Sequence, residues 1–164
     1  MKGKIRKLEK TWLTGKKLKM SMQNDRTGEL FREFMHGRHL ISNISGQELY
    51  AVTIYDGTGV FQNFNPQTEF EKWAAVRVTD HGNHPEGMEH LVVPEGQYAV
   101  FQYKGRPAEA GPVFDQIFRE WLPDSAYELD DRPHFALMGD KYRGDHPDSE
   151  EEFWIPVKLR KPGR

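Results

Sequence analysis

The chain predicts an α+β fold: duplicated βαββ units with pseudo-twofold symmetry, their strands joined in antiparallel sheets, helices on one face and a ligand groove on the other. Three observations carry this reading. Leu30-Phe31-Arg32-Glu33-Phe34-Met35 returns as Ile117-Phe118-Arg119-Glu120-Trp121-Leu122. Glu69-Phe70-Glu71-Lys72-Trp73-Ala74-Ala75-Val76 returns, 81 residues on and in the same order, as Glu150-Glu151-Glu152-Phe153-Trp154-Ile155-Pro156-Val157. Within each copy the apolar spacing changes from a helical to an alternating period, as a helix between strands requires.

The elements follow in order. Strands are expected near residues 16–22, 49–56 and 70–79 in the first copy and 97–103, 134–139 and 151–159 in the second, from alternation and aromatic or β-branched enrichment. The first helix begins near Asp25 or Thr27 as cap and ends near His36-Gly37, with Leu30, Phe31, Phe34 and Met35 on one stripe. The second runs from about Pro112 to Leu122; Val113, Phe114, Ile117, Phe118 and Trp121 form its stripe and Pro123 stops it. A single domain over 1–164 is expected, with a first repeat at about 12–80, a turn-rich linker at about 81–90 and a second repeat at about 91–160.

Composition bounds the function. With 37% hydrophobic residues and a mean hydropathy of −0.79, the 164-residue chain can build one core, and no apolar stretch is long enough to span a bilayer. It has no Cys, which excludes disulfides, thiolate metal sites and a cysteine nucleophile. A cytoplasmic location is expected, and no cofactor. Charge is unevenly spread: residues 1–19 carry +7 and residues 158–164 carry +4, so the body carries −13. Such a body suits a cationic partner and argues against direct nucleic-acid binding or a membrane. The basic ends read as solvated termini or as contacts for an anion.

The closing strand of each copy carries the chemistry. Alternation puts Phe153, Ile155 and Val157 on one face and Glu152, Trp154 and Pro156 on the other, away from the helices; Glu71 and Trp73 repeat the relation. Two acids and two indoles on one groove would hold a lipophilic cation, the rings by cation–π attraction and the acid by charge. Glu152 and Glu71 would be the catalytic pair, acid and base, if the protein hydrolyses its ligand. Tyr55, Tyr103 and Met138 are added as lining residues. The competing reading is structural: Glu150–Glu152 as a solvated charge run and each Trp as core.

Tyr98-Ala99-Val100-Phe101, Phe118-Arg119-Glu120-Trp121-Leu122-Pro123, Ser125-Ala126-Tyr127-Glu128-Leu129, Pro133-His134-Phe135 and Glu152-Phe153-Trp154-Ile155-Pro156-Val157 together resemble the GyrI-like small-molecule-binding family, also called the AraC-type effector-binding domain. The resemblance covers nearly all of the second half and is weaker in the first. It implies a duplicated βαββ fold with a central groove, and it carries the family's ligand-facing acid onto Glu152 with Trp154 beside it. It also implies a stand-alone binder of lipophilic aromatic or cationic compounds; the alternatives are hydrolysis of strained, cyclopropanoid-type genotoxins or contact with a protein partner such as DNA gyrase. Ala136, Leu137 and Met138 stand where the family often has an acid and a tyrosine.

Other motifs are less specific. Asp80, His81, His84, Glu86, Glu89 and His90 have metal-binding donors but no preorganising spacing, so no metal site is assigned. His36 and His39 suit the end of the first helix. Neither a nucleophile elbow nor a phosphate-binding glycine motif occurs.

Overall fold

A computed structural model of the chain describes residues 2–161. The strands are β1 (Lys4–Leu8), β2 (Thr11–Ser21), β3 (Leu49–Ile54), β4 (Glu69–Arg77), β5 (Glu89–Val93), β6 (Gly96–Lys104), β7 (Tyr127–Leu129), β8 (His134–Met138) and β9 (Glu150–Leu159). All pair antiparallel in one sheet of order β1-β6-β9-β8-β3-β4-β2-β5, with β7 on β9. The α+β class is as expected, as are the presence of both helices and the bounds of the first. β1, β5 and β7 were not anticipated: β1 lies within the basic N-terminal run, at a sheet edge where lysines discourage further pairing, and β5 takes up the end of the expected linker.

Helix α1 spans Thr27–Gly37, after Asp25, whose Oδ1 accepts the Thr27 N–H at 2.9 Å. Only Leu30 and Phe34 of its stripe are fully buried, while Met35 is exposed. Helix α2 (Gly111–Gln116) continues through a π-helical stretch, Ile117–Trp121, into a last turn, Leu122–Asp124. It therefore passes Pro123 rather than stopping before it. Pro123 has no N–H to donate and its ring crowds the preceding turn, which the wider π stretch relieves. The helices cover one face: α1 over Met20, Ala74 and Val76, α2 over Phe101, Phe153 and Ile155. Phe61, on a 3₁₀ turn (Thr58–Gln62), stacks on Phe118 at 5.5 Å and on the same face reaches Tyr55 at 4.7 Å.

Chain connectivity dictates the sheet's shape. β1 and β2 stand six positions apart in the strand order, roughly 29 Å in a flat sheet at ~4.8 Å per strand. Yet only Glu9 and Lys10 separate them, a link that reaches about 11 Å. β5 and β6 are likewise six positions apart and joined by Pro94 and Glu95 alone. The sheet must curl until its ends meet. Its helix-free face becomes an interior whose buried members come from β2, β3, β4, β5, β6, β8 and β9, with Leu8 of β1 packed against them; among these members are Leu13, Val52, Trp73, Val93, Tyr98 and Phe135, each at most 4% exposed.

The ladders are symmetric about the central β3–β8 contact. Aligning β4 and β9 by the 81-residue offset of their Glu-x-Trp segments, Trp73 faces Val52 and Lys17 while Trp154 faces Phe135 and Val100. Val52 and Phe135 face each other.

Candidate functional site

The interior is aromatic. Tyr98 lies 5.4 Å from Phe135 and 5.7 Å from Trp154 between ring centroids, Phe135 stacks on Trp154 at 5.2 Å, and Tyr50 closes on Phe135 at 5.4 Å. Tyr98 donates its hydroxyl proton to the Pro133 carbonyl at 2.7 Å, and burial pushes its pKa well above the ordinary phenol value. The helix-free face is thus filled by its own rings. Trp73 and Trp154, expected as walls of an open groove, are 3% and 8% exposed members of this cluster.

Glu152 sits at the rim, half-buried. Its Oε1 accepts the Trp154 indole N–H at 3.1 Å and its Oε2 accepts from the Gln102 side-chain amide. Among the described residues no Lys or Arg comes within ion-pair distance of it. Glu71 behaves differently: Lys17 Nζ stands 3.4 Å from its Oε1, 3.4 Å from Glu89 Oε1, and 5.8 Å from the Trp73 ring centroid. Hydrogen bonding to Glu89 and the charge of Glu71 raise the Lys17 pKa. With Glu71 turned to Lys17, the buried Trp73 Nε1 has no acceptor.

The two acids are not brought together. Following the row of Glu152 through Leu137 and Tyr50 reaches Ala75, four residues from Glu71. Three strand spacings and four residues correspond to roughly 20 Å along the sheet. One bond cannot be served by both, which removes the two-carboxylate arrangement that hydrolysis by Glu71 and Glu152 would need.

Tyr55, Tyr103 and Met138 lie on the opposite side of the sheet from Glu152, and this corrects their assignment as lining of one groove. Tyr55 packs against Phe61, Phe70 and His134, and burial pushes its pKa up to about 12. Tyr103 stacks on Phe153 at 5.1 Å and donates to the Arg106 carbonyl at 2.6 Å. Met138 pairs with Leu49, which packs under α1. Strand alternation is the cause: Tyr103 and Met138 stand an odd number of residues from interior neighbours on β6 and β8, and Tyr55 directly follows the interior-facing Ile54 at the end of β3.

The helix side holds groups that sequence reasoning passed over. Glu151 is 8% exposed, its Oε2 lacks a partner, and burial raises its pKa despite the charge of Lys72. Lys72 donates to Thr53 Oγ1 at 2.9 Å, and desolvation lowers its pKa. Beside Thr53 lies His134, whose pKa burial depresses to about 3, so it is neutral at pH 7. The linker histidines pack together: His81 and His90 stack at 4.2 Å, and both ring nitrogens of His90 are taken, one by Thr14 Oγ1 at 3.0 Å and one by the Gly82 carbonyl at 2.8 Å. Surface concavities lie elsewhere, about 530 Å³ beside Lys10, Trp12 and Arg77 and about 90 Å³ between Tyr55, Arg132 and His134.

Comparison with known proteins agrees with this architecture. The sequence profile of Cass2, the integron-associated effector binding protein, matches residues 4–157. Among solved structures, SAV2435 bound to tetraphenylphosphonium superposes with a TM-score of 0.67 at 18% identity, covering 96% of this chain and 94% of that one. The EcmrR C-terminal domain gives 0.72 at 13% identity, with 97% and 98% coverage. An integron cassette protein from the mobile metagenome of Vibrio cholerae gives 0.68 at 13% identity, with 95% of both chains covered. No match is found among curated proteins. The GyrI-like resemblance drawn from the sequence is borne out by the profile and by these folds.

Proposed function

Because the chain belongs to the Cass2 family of integron-associated effector binding proteins, we propose that it binds a lipophilic aromatic cation, with Glu152 as the charged anchor and Trp154 as the ring that holds it. One observation carries the reading. A rim carboxylate with no cation beside it among the described residues is hydrogen-bonded to an indole that is itself part of a continuous aromatic interior. A cation seated there gains the Glu152 charge and the Trp154 face together, and the adjoining rings shield that charge from water, which strengthens the attraction. Tetraphenylphosphonium bound to SAV2435 is a cation of this kind.

Since the interior is packed, entry requires the Trp154 indole to release Glu152 and swing from the Phe135 stack. The ligand's rings then replace the protein's own contacts, so binding energy comes mainly from the charge at Glu152 and from added ring area. Trp154 reports the event directly. Titration with tetraphenylphosphonium should quench tryptophan fluorescence saturably, and Glu152→Gln should weaken binding at least tenfold while leaving the thermal unfolding midpoint unchanged. Equal affinity in both proteins would remove Glu152 as the anchor.

A further inference from the structure

The Glu-x-Trp segment occurs twice, but its two surroundings differ in one respect. In the first half the acid and the indole already hold an ammonium group. Lys17 Nζ lies 3.4 Å from Glu71 and 5.8 Å from the Trp73 centroid, so carboxylate, ring face and cation are assembled from one chain. Lys17 reaches this place because β2 runs beside β4 in the register Lys17↔Trp73, on the interior side of the sheet. In the second half the matching register places Val100 opposite Trp154 and Gln102 opposite Glu152. The corresponding partners in the first half are Lys17 and Lys19. No protein cation stands over Trp154 among the described residues; the other two ring-bound cations are Lys10 at Trp12 and Arg132 at Tyr98. Lys4, the nearest basic residue in that row, is a further strand away and pairs with Val100.

We infer that Lys17 is a tethered occupant of the first of two related cation sites, so that the protein takes one cationic ligand, at Glu152 and Trp154, and holds the other site closed against it. This deepens the function proposed above and rests on it. The hydrogen bonds record the difference. Where Lys17 draws Glu71 away, the Trp73 indole N–H is left without an acceptor; where no lysine competes, the Trp154 N–H keeps Glu152 at 3.1 Å. The first site is thus in its occupied arrangement and the second in its resting one. Ligand preference follows: the sites are matched to a cation near an aromatic face, and the protein's own example is a primary ammonium group.

Two substitutions at exposed positions test this without disturbing the core. In Lys17→Met, calorimetric titration with tetraphenylphosphonium should give two sites per chain where the wild type gives one, and Glu71→Gln added to it should return the count to one. In Gln102→Lys, the new ammonium group beside Glu152 should lower affinity at least tenfold. A count of one in Lys17→Met, while Glu152→Gln still weakens wild-type binding at least tenfold, would sink the tethered-occupant reading and leave the proposed function standing. Should the wild type bind no probe at all, the proposed function fails first, and a ligand-free measurement still decides the role of Lys17. The indole N–H resonance of Trp73 should move toward the hydrogen-bonded position of Trp154 in Lys17→Met, as Glu71 is released. An unmoved resonance would show that Lys17 does not hold Glu71.

Discussion

Trp73 and Trp154 occupy matching places in the ladders, yet one indole donates to its acid and the other donates to nothing. The difference extends along both halves. Val52 faces Phe135, Gly15 occupies the register position that Tyr98 fills, and Ala51 occupies that of His134. The second half supplies three of the five large interior rings, Tyr98, Phe135 and Trp154; the first supplies Tyr50 and Trp73, and a lysine beside the latter. A symmetric ladder therefore carries an asymmetric interior, and among the described residues the acid of one Glu-x-Trp segment is paired with a lysine while the acid of the other is not.

The most severe break of this asymmetry lies at Tyr98 and Gly15. Tyr98→Ala should cost about 4 kcal/mol by emptying the centre of the cluster, read by urea denaturation. Gly15→Ala should also destabilise strongly, since a Cβ there would overlap the Ala74 carbonyl oxygen. A wild-type midpoint for either would refute the packed interior.

The next contrast is His134 against Ala51. His134 is held near pKa 3 when folded and titrates at about 6.5 when unfolded. Between these values the unfolded chain binds a proton that the folded chain lacks, so stability falls as pH drops from about 6.5 to 3, by up to about 1.4 kcal/mol per unit from this group. His134→Gln should flatten the acid limb of the stability profile relative to wild type. Parallel limbs would mean that the imidazole is solvated.

A smaller effect separates the indoles. Trp154→Phe loses a hydrogen bond to a carboxylate and Trp73→Phe loses none, so the first should be less stable than the second by about 1 kcal/mol. The smallest concerns Lys17, whose ion pairs are solvent-exposed. Lys17→Met should leave the thermal midpoint unmoved, and a marked loss would assign the lysine a structural role.

Both helices and six strands were legible because each has a strong period and clear punctuation. β1 and β5 were not. Lys4–Leu8 carries three basic residues in five positions, and Glu89–Val93 follows a Gly/Pro-rich turn; each is an edge strand with too little buried surface to imprint alternation. The paired Glu-x-Trp segments were legible as a repeat. Their surroundings were not, because the neighbour of Trp73 is Lys17, 56 residues earlier, and only the strand register brings them together. Tyr103 and Met138 were misplaced for a related reason: a one-residue error in strand phase transfers a side chain to the other face. Glu151 was masked by its place in a run of three acids, which reads as solvated until burial is known.

The two short links at Glu9-Lys10 and Pro94-Glu95 have a mechanical consequence. Each sends the leading strand of one half across to hydrogen-bond with the other half, so the halves are buckled together at both ends of the sheet. Any widening that admits a ligand must stretch against these buckles. Residues 4–10, part of a basic run that composition alone reads as a solvated terminus, thus set the stiffness of the enclosed face. Trimming them would undo the buckle on the side of the sheet where β6 and β9 lie.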